Sequence, residues 1–425
     1  MKHVIIGNGP AGVVAAETLR KADPGAEIVL LGDEPEPPYS RMAIPYLLMG
    51  NIGEEGTYLR KSADHYRKLD VELLTARAQA VDTQARRLQL SNDTTIGYDR
   101  LLIATGSYPV KPPIHGIDLP NVQTCWTMQD ARHIIDRAKA GARVLQIGAG
   151  FIGCIIMEAL ASRGVELTVV EMGDRMVPRM MTPGAGAMIR AWCEGKGVRV
   201  HTNARVHSIA PAADQPGVVA VKLSTGDEVR AELVICAAGV RPAVAFLEDS
   251  GVATEIGVLV DERMQTSVPG VYAAGDVAEA VDFNTGKRVL YAIQPHAVEQ
   301  GRVAALNMAG RDATFSGSLA MNVLDTLGLV SSSFGQWWGE SGGESVEAID
   351  RDSYRYLSLQ FKDDVLIGAT SIGLTEHVGV LRGLIQGRRR LGQWKDDLLR
   401  DPTRIMEAYL SRTQAQDAWH AARAR

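Results

Sequence analysis

The sequence predicts an α/β protein: two doubly wound, parallel-sheet modules of one plan, followed by a smaller C-terminal α+β domain. Three observations predict it. A strand, glycine turn and helix open the chain and recur near residue 148; each copy closes on an apolar strand ending in glycine; and the pattern is gone beyond residue 315. At 425 residues the chain exceeds one ordinary core, so two or three domains are expected, and an apolar fraction of 46% is enough to bury them. A net charge of −5 gives no reason to propose nucleic acid or a membrane surface as partner. No run approaches eighteen apolar residues and the N-terminus enters a strand at once, so the chain is expected in the cytoplasm without a spanning helix.

The first copy starts with Val4–Ile6, a short buried strand. Gly7, Gly9 and Gly12 make the turn, and Val13–Lys21 continue as helix. The first glycine permits the turn, the second lets backbone approach a pyrophosphate, and the third lets helix pack close to strand. Phosphates would then meet the unpaired N–H groups of the helix N-terminus, beside Pro10 and Ala11. The second strand, Glu27–Leu31, ends at Gly32-Asp33-Glu34. An acid at that end is placed to bond a ribose hydroxyl, but the offset is a residue or two late, so Asp33 and Glu34 both stay candidates. Pro35, Pro37 and Pro38 forbid helix or central strand next. The stretch Pro38-Tyr39-Ser40-Arg41-Met42-Ala43-Ile44-Pro45-Tyr46 leads into mostly helical sequence as far as Leu69. Tyr98–Gly106, ending Ala104-Thr105-Gly106, closes the copy.

A proline-rich connector, Lys111–Leu119, precedes the second copy. Arg143–Gly153 is strand and turn again, with Gly148, Gly150 and Gly153 at the first spacing and Phe151 and Ile152 opening the helix. A strand Glu166–Val170 ends on Glu171, and Ala231–Gly239 closes the module. Thr266–Asp276 is another turn and strand ending in Gly275-Asp276, and a helix follows from about Pro295 to Ala309. Neither has an obvious home in the second module. Beyond it come Trp337-Trp338, an alternating strand Tyr354–Phe361, a strand Val365–Ala369, and helices, the last capped by Asp401-Pro402. Cys125, Cys154, Cys193 and Cys236 lie far apart, with no CxxC or CxxxxC. They fit neither a zinc site nor a close redox pair, no metal site is expected, and each reads as a small buried apolar residue.

Taken together, these motifs resemble the two-dinucleotide flavoproteins that include glutathione reductase, NADH oxidases and the ferredoxin and rubredoxin reductases. The resemblance implies two Rossmann-like modules and a C-terminal interface domain. Its expected boundaries are 1–112 with 240–315 for FAD, 113–239 for NAD, and 316–425 for the interface and a helical tail. It implies that Gly7, Gly9 and Gly12 hold the FAD pyrophosphate, that Ala104-Thr105-Gly106 face the same cofactor, and that Gly275-Asp276 bring a carboxylate to the ribityl hydroxyls. The helix after Pro295 would point its positive end at the flavin ring, with His296 either touching the ring or serving as a capping or core histidine. Gly148, Gly150 and Gly153 would take the pyridine nucleotide, with Gly239 closing that site. A carboxylate at Glu171 accepts from both ribose hydroxyls and repels a 2′-phosphate, and Met172, Gly173 and Asp174 follow it with no basic residue, so NADH is expected over NADPH.

The chain also departs from the family's pattern. Disulfide reductases keep CxxxxC after the FAD loop and the oxidase and peroxidase branch keeps one cysteine; aligning Ile44-Pro45-Tyr46 puts Met42 at that place. A thioether has no thiolate, so cysteine chemistry at the flavin is not expected. Pro38-Tyr39-Ser40-Arg41 resembles the Pro-Tyr-x-Arg of the ferredoxin-reductase and nitrite-reductase-like branch, which would lay Arg41 along the FAD. Many ferredoxin reductases carry a lysine where Tyr46 stands and a glutamate where Ile155 stands, an ion pair beside the flavin. Losing one charge alone would strand the other at a cost of about 3–5 kcal/mol, so joint loss is the consistent outcome. Tyr46 and Ile155 are therefore expected to face each other in a less polar pocket.

The expected mechanism has no protein nucleophile. Hydride passes from NADH to flavin, and the protein supplies alignment and exclusion of water. Three readings follow: a reductase of a small electron carrier or iron–sulfur partner; a cysteine-independent NADH oxidase; and a flavin-bearing subunit whose NAD binding is a sensing or assembly signal. The C-terminal region would cover the flavin and serve dimerisation or docking. Arg382 and Arg388-Arg389-Arg390 form either a docking patch for an acidic carrier or a solvated helix face, and Trp337-Trp338 either a partner hot spot or, the better reading, aromatic core.

Overall fold

A computed structural model describes residues 1–413, so the end of the C-terminal domain, from residue 414, lies outside the described residues. The chain forms two compact units. One gathers Met1–Val110, Trp126–Arg132 and Val240–Ser318; the other gathers Lys111–Cys125, His133–Gly239 and the chain from Leu319 onward.

The first unit is built on a five-stranded, all-parallel sheet. Its order is Val271–Ala273, Arg100–Ile103, Lys2–Ile6, Glu27–Gly32, Val71–Thr75. Val4, Ile5 and Ile6 are buried one after another, as a central strand covered on both faces requires. The helix Pro10–Ala22 starts on a proline whose missing N–H costs nothing there, and it ends on Arg20 and Lys21. The two elements without a home in the second module belong to this unit. Val271–Ala273 extends the sheet from its edge, and the helix Gln294–Met308 packs along Pro10–Ala22. That crossing is close because residue 301 is glycine: a Cβ there would lie 2.4 Å from the Ala11 carbonyl oxygen.

The second unit repeats the plan in the same order: Val122–Gln123, Leu233–Cys236, Arg143–Ile147, Glu166–Val170, Arg199–His201, again all parallel. Register aligns the copies residue by residue. Ile6 lies opposite Leu31 and the Gly7 N–H donates to the Leu31 carbonyl, while Ile147 lies opposite Val170 and the Gly148 N–H donates to the Val170 carbonyl. The C-terminal part of this unit is a five-stranded antiparallel sheet, Met321–Thr326, Leu329–Gly335, Val365–Ile372, Arg355–Lys362, Glu344–Asp350. It docks on the helix Pro183–Gly195, where the fully buried Tyr356 shares hydroxyl hydrogen bonds with Thr182 and Glu347. Asp401 caps a 3-10 turn, Pro402–Arg404, that runs into the last described helix, Ile405–Thr413. Among the described residues no helix is long and apolar enough to cross a membrane.

Candidate functional site

The two glycine turns have the same geometry. Gly7 and Gly148 sit at φ +113° and +100°, and a Cβ on either would lie 2.1 Å from the Ala104 oxygen or 2.4 Å from the Ala237 oxygen. On Gly12 or Gly153 it would meet the oxygen of Gly7 or Gly148, at 1.9 or 2.5 Å. On Gly9 or Gly150 it would meet nothing within 4 Å. First and third glycines are thus filled by backbone, while the second faces open space at the start of a helix whose N-cap has no side chain to bond. Such a turn fits a pyrophosphate, which needs close approach and unpaired N–H donors.

Around the first turn, three elements converge. Gly275, at φ +84°, lies against Ala11 and Ala297, and its N–H donates to the buried Gln300 side chain at 2.9 Å. Asp276 follows. Burial pushes its carboxyl above the ordinary aspartate value, opposed by a hydrogen bond from the Ser107 hydroxyl (3.1 Å) and by the Arg41 charge. Thr105 turns its hydroxyl to the Ala243 carbonyl, and Gly106 at φ +65° lies between the strands Arg100–Ile103 and Ser107–Pro109. Arg41 donates to Glu34 (2.8 Å), the Tyr39 hydroxyl (3.0 Å) and the Trp126 carbonyl (2.8 Å). Tyr39 donates in turn to Glu34 at 2.8 Å.

The late acid of the first copy has a structural reason. The position in register with Glu171 is Gly32, and the Asn8 side chain fills the space above it: a Cβ on Gly32 would lie 2.2 Å from the Asn8 amide. Asp33 and Glu34 come only after that position, Asp33 exposed and 3.5 Å from Arg77, Glu34 tied to Arg41. In the second copy Glu171 is buried; one carboxylate oxygen accepts the Ala149 N–H at 2.7 Å, the other the Gly173 N–H at 2.6 Å. Each oxygen keeps a lone pair for a further donor. Phe151 and Ile152, half-buried, open the helix, and Gly239 sits at φ +112° with open space around it.

Met42 and Tyr46 stand on the short turns after Arg41, 47% and 53% exposed. Ile155 is half-buried on the second unit's glycine-turn helix. His296 is buried, its ring 6.5 Å from Tyr291 and 6.3 Å from Phe315. Cys154, Cys193 and Cys236 are buried, and burial pushes all three thiols up, Cys193 to about 12, whereas Cys125, expected to be buried as well, is half-buried. No thiolate forms at those three near neutral pH.

Trp338 corrects an expectation: it is 55% exposed, because the turn between Gly335 and Gly339 lifts it off the sheet, and only Trp337 is half-buried beneath it, edge to face at 5.5 Å. Arg382 stands exposed on the helix Val378–Gly387, as a solvated helix face would have it, but Arg388, Arg389 and Arg390 do not share that face. Arg388 ends the helix at φ +45°, so these three lie past its C-terminus, where the helix dipole favours them. Sequence reading missed Ser107, Asn8, Gln300 and the Trp126–Arg132 segment, which returns to the first unit far from its sequence neighbours. The x in G-x-G was the one available signal, for Asn8.

Comparison with known proteins bears on these turns. Residues 1–301 match the family described as "Pyridine nucleotide-disulphide oxidoreductase". The "NADH-dependent phenylglyoxylate dehydrogenase subunit epsilon" of Aromatoleum evansii is 30% identical over 97% of this chain and 98% of its own length. The "NADH oxidase" of Methanocaldococcus jannaschii is 33% identical over 74% of this chain and 71% of its own. Among solved structures, "NADH:rubredoxin oxidoreductase from Clostridium acetobutylicum" superposes with a TM-score of 0.76 at 25% identity, covering 92% of this chain and 96% of that one.

Proposed function

Because the chain belongs to the pyridine nucleotide-disulphide oxidoreductase family, we propose that it oxidises NADH and passes the electrons through FAD to a small electron carrier or an iron–sulfur partner protein, in the cytoplasm. The observation that carries this reading is the pair of turns alike in packing, each with its middle glycine open, one per unit. Bound FAD and NADH supply the hydride transfer and the release of electrons one at a time. The chain's own residues bind and orient.

Gly7, Gly9 and Gly12, with Pro10 and Ala11 opening the helix, present N–H groups to the FAD pyrophosphate. Asp276, held by Ser107, accepts from ribityl hydroxyls, and Arg41 moves from Glu34 and Tyr39 toward phosphate or flavin oxygens. Ala104-Thr105-Gly106 line the cofactor, and Asp33 or Glu34 takes the adenosine ribose. Gly148, Gly150, Phe151, Ile152 and Gly153 hold the NADH pyrophosphate, Glu171 its ribose, and Gly239 leaves room beside it. Met42, Tyr46, Ile155 and His296 are the flavin-facing candidates, and both Tyr46 and Ile155 are uncharged. The three-domain division at 112, 239 and 315 and a homodimer through the C-terminal domain belong to the same reading.

The M. jannaschii relative's name favours a second reading, an oxidase that hands electrons to oxygen. The first test is spectroscopic. The protein is expected to hold FAD and, without air, to lose the flavin's visible band on mixing with NADH but not with NADPH at the same concentration. A protein that holds FAD yet never bleaches overturns both readings and leaves a subunit that only senses NAD.

A further inference from the structure

In the second turn, one peptide group is held from both sides by side chains. The Gly148 carbonyl accepts from the Gln146 amide at 2.8 Å, and the N–H of the same peptide, on Ala149, donates to Glu171 at 2.7 Å. The Gln146 amide also donates to the Gly153 carbonyl at 2.9 Å, so it spans the fingerprint from first to third glycine. Facing two carbonyl oxygens, that end of the side chain must be the NH₂ group. The first turn has no counterpart. Two residues before its first glycine stands Ile5, whose methyl simply packs near Gly12, and Gly32 offers no acid.

Gln146 is 0% exposed, and its other amide atom, Oε1, has no hydrogen-bond partner among the described residues. A buried acceptor left unpaired is unfavourable, and an aliphatic side chain fills the same place without one in the first copy. The glutamine is therefore explained by its donor, not by packing. We propose that Gln146 is a positioning residue for the pyridine nucleotide: with Glu171 it clamps the Gly148–Ala149 peptide, aiming the turn's N–H groups before the pyrophosphate arrives. The inference rests on the NADH reading above. It also explains the asymmetry between copies, since a site that empties and refills every turnover gains most from being formed in advance.

The test is calorimetric titration of the FAD-loaded protein with NAD+, which binds without turnover. Gln146→Ile, copying Ile5, is expected to weaken NAD+ by about tenfold, or about 1.4 kcal/mol, with FAD content unchanged. Gln146→Glu is expected to bind poorly near pH 8 and to regain affinity as pH falls, because a protonated carboxyl donates one hydrogen bond again. Gln146→Met, of similar length and without a donor, takes the place of Gln146→Ile if the branched variant loses its FAD. Binding within about twofold of wild type by the donor-free variant, or a lowered melting temperature with unchanged affinity, overturns the clamp. A flat pH profile for Gln146→Glu does the same. If the wild-type protein itself fails to bind NAD+, the NADH reading falls and the clamp with it.

Discussion

In the proposed function, single side chains decide which nucleotide sits where. Glu171 is the clearest: buried, doubly bonded to backbone N–H groups, and in register with a glycine in the other copy. Its substitution by alanine is expected to weaken NADH by about 1.5–3 kcal/mol, the range for a charge-assisted hydrogen bond, and to narrow the preference over NADPH. Asp276 carries a pH signature. Burial raises its carboxyl above its unfolded value, so without FAD the folded state holds a proton more readily than the unfolded one. The ionised group then costs stability near neutral pH, and that cost fades as pH falls through the raised value. Asp276→Asn should therefore raise the melting temperature of the FAD-free protein near pH 8, with the gap closing in acid, while FAD binds more weakly. Glu171 was legible in the sequence because it ends a strand behind a glycine fingerprint. Ser107 was not, because nothing local marks a serine that meets an aspartate 169 residues away.

At the level of elements, what was readable followed from periodicity. Strand, turn and helix at residues 4–21 and 143–163 announce themselves by glycine spacing and apolar runs. Where the later strand and helix dock was not readable, since parallel partners are joined by long crossovers that leave no local mark. The strand Val271–Ala273 takes the sheet edge that Val122–Gln123 takes in the second copy, and the helix Gln294–Met308 is fixed by Gly301 against Ala11. Gly301→Ala should force these helices apart, costing about 1–3 kcal/mol in denaturant unfolding and reducing FAD content. Gly25→Ala, with nothing within 4 Å, is the matched control and should change neither.

Across the whole molecule, cofactor chemistry was legible and the acceptor was not. The proposed nucleotide sites rest on two local glycine turns, whereas an acceptor is recognised by surface shape and charge assembled from distant segments. Exposed Trp338 and the arginines past residue 387 show how sequence alone misplaces such groups. Electron relay without a cysteine rests on Met42, a thioether where the resemblance aligns a cysteine, and on Cys154, Cys193 and Cys236, whose thiols burial pushes up. The most direct measurement is anaerobic stopped-flow: reduce the flavin with NADH, then mix separately with oxidised rubredoxin or ferredoxin and with air-saturated buffer, before and after alkylating accessible thiols. Cysteine-free relay predicts reoxidation by a carrier at least about tenfold faster than by air, unchanged by alkylation. Faster reoxidation by air, or loss of carrier reduction on alkylation, would contradict it.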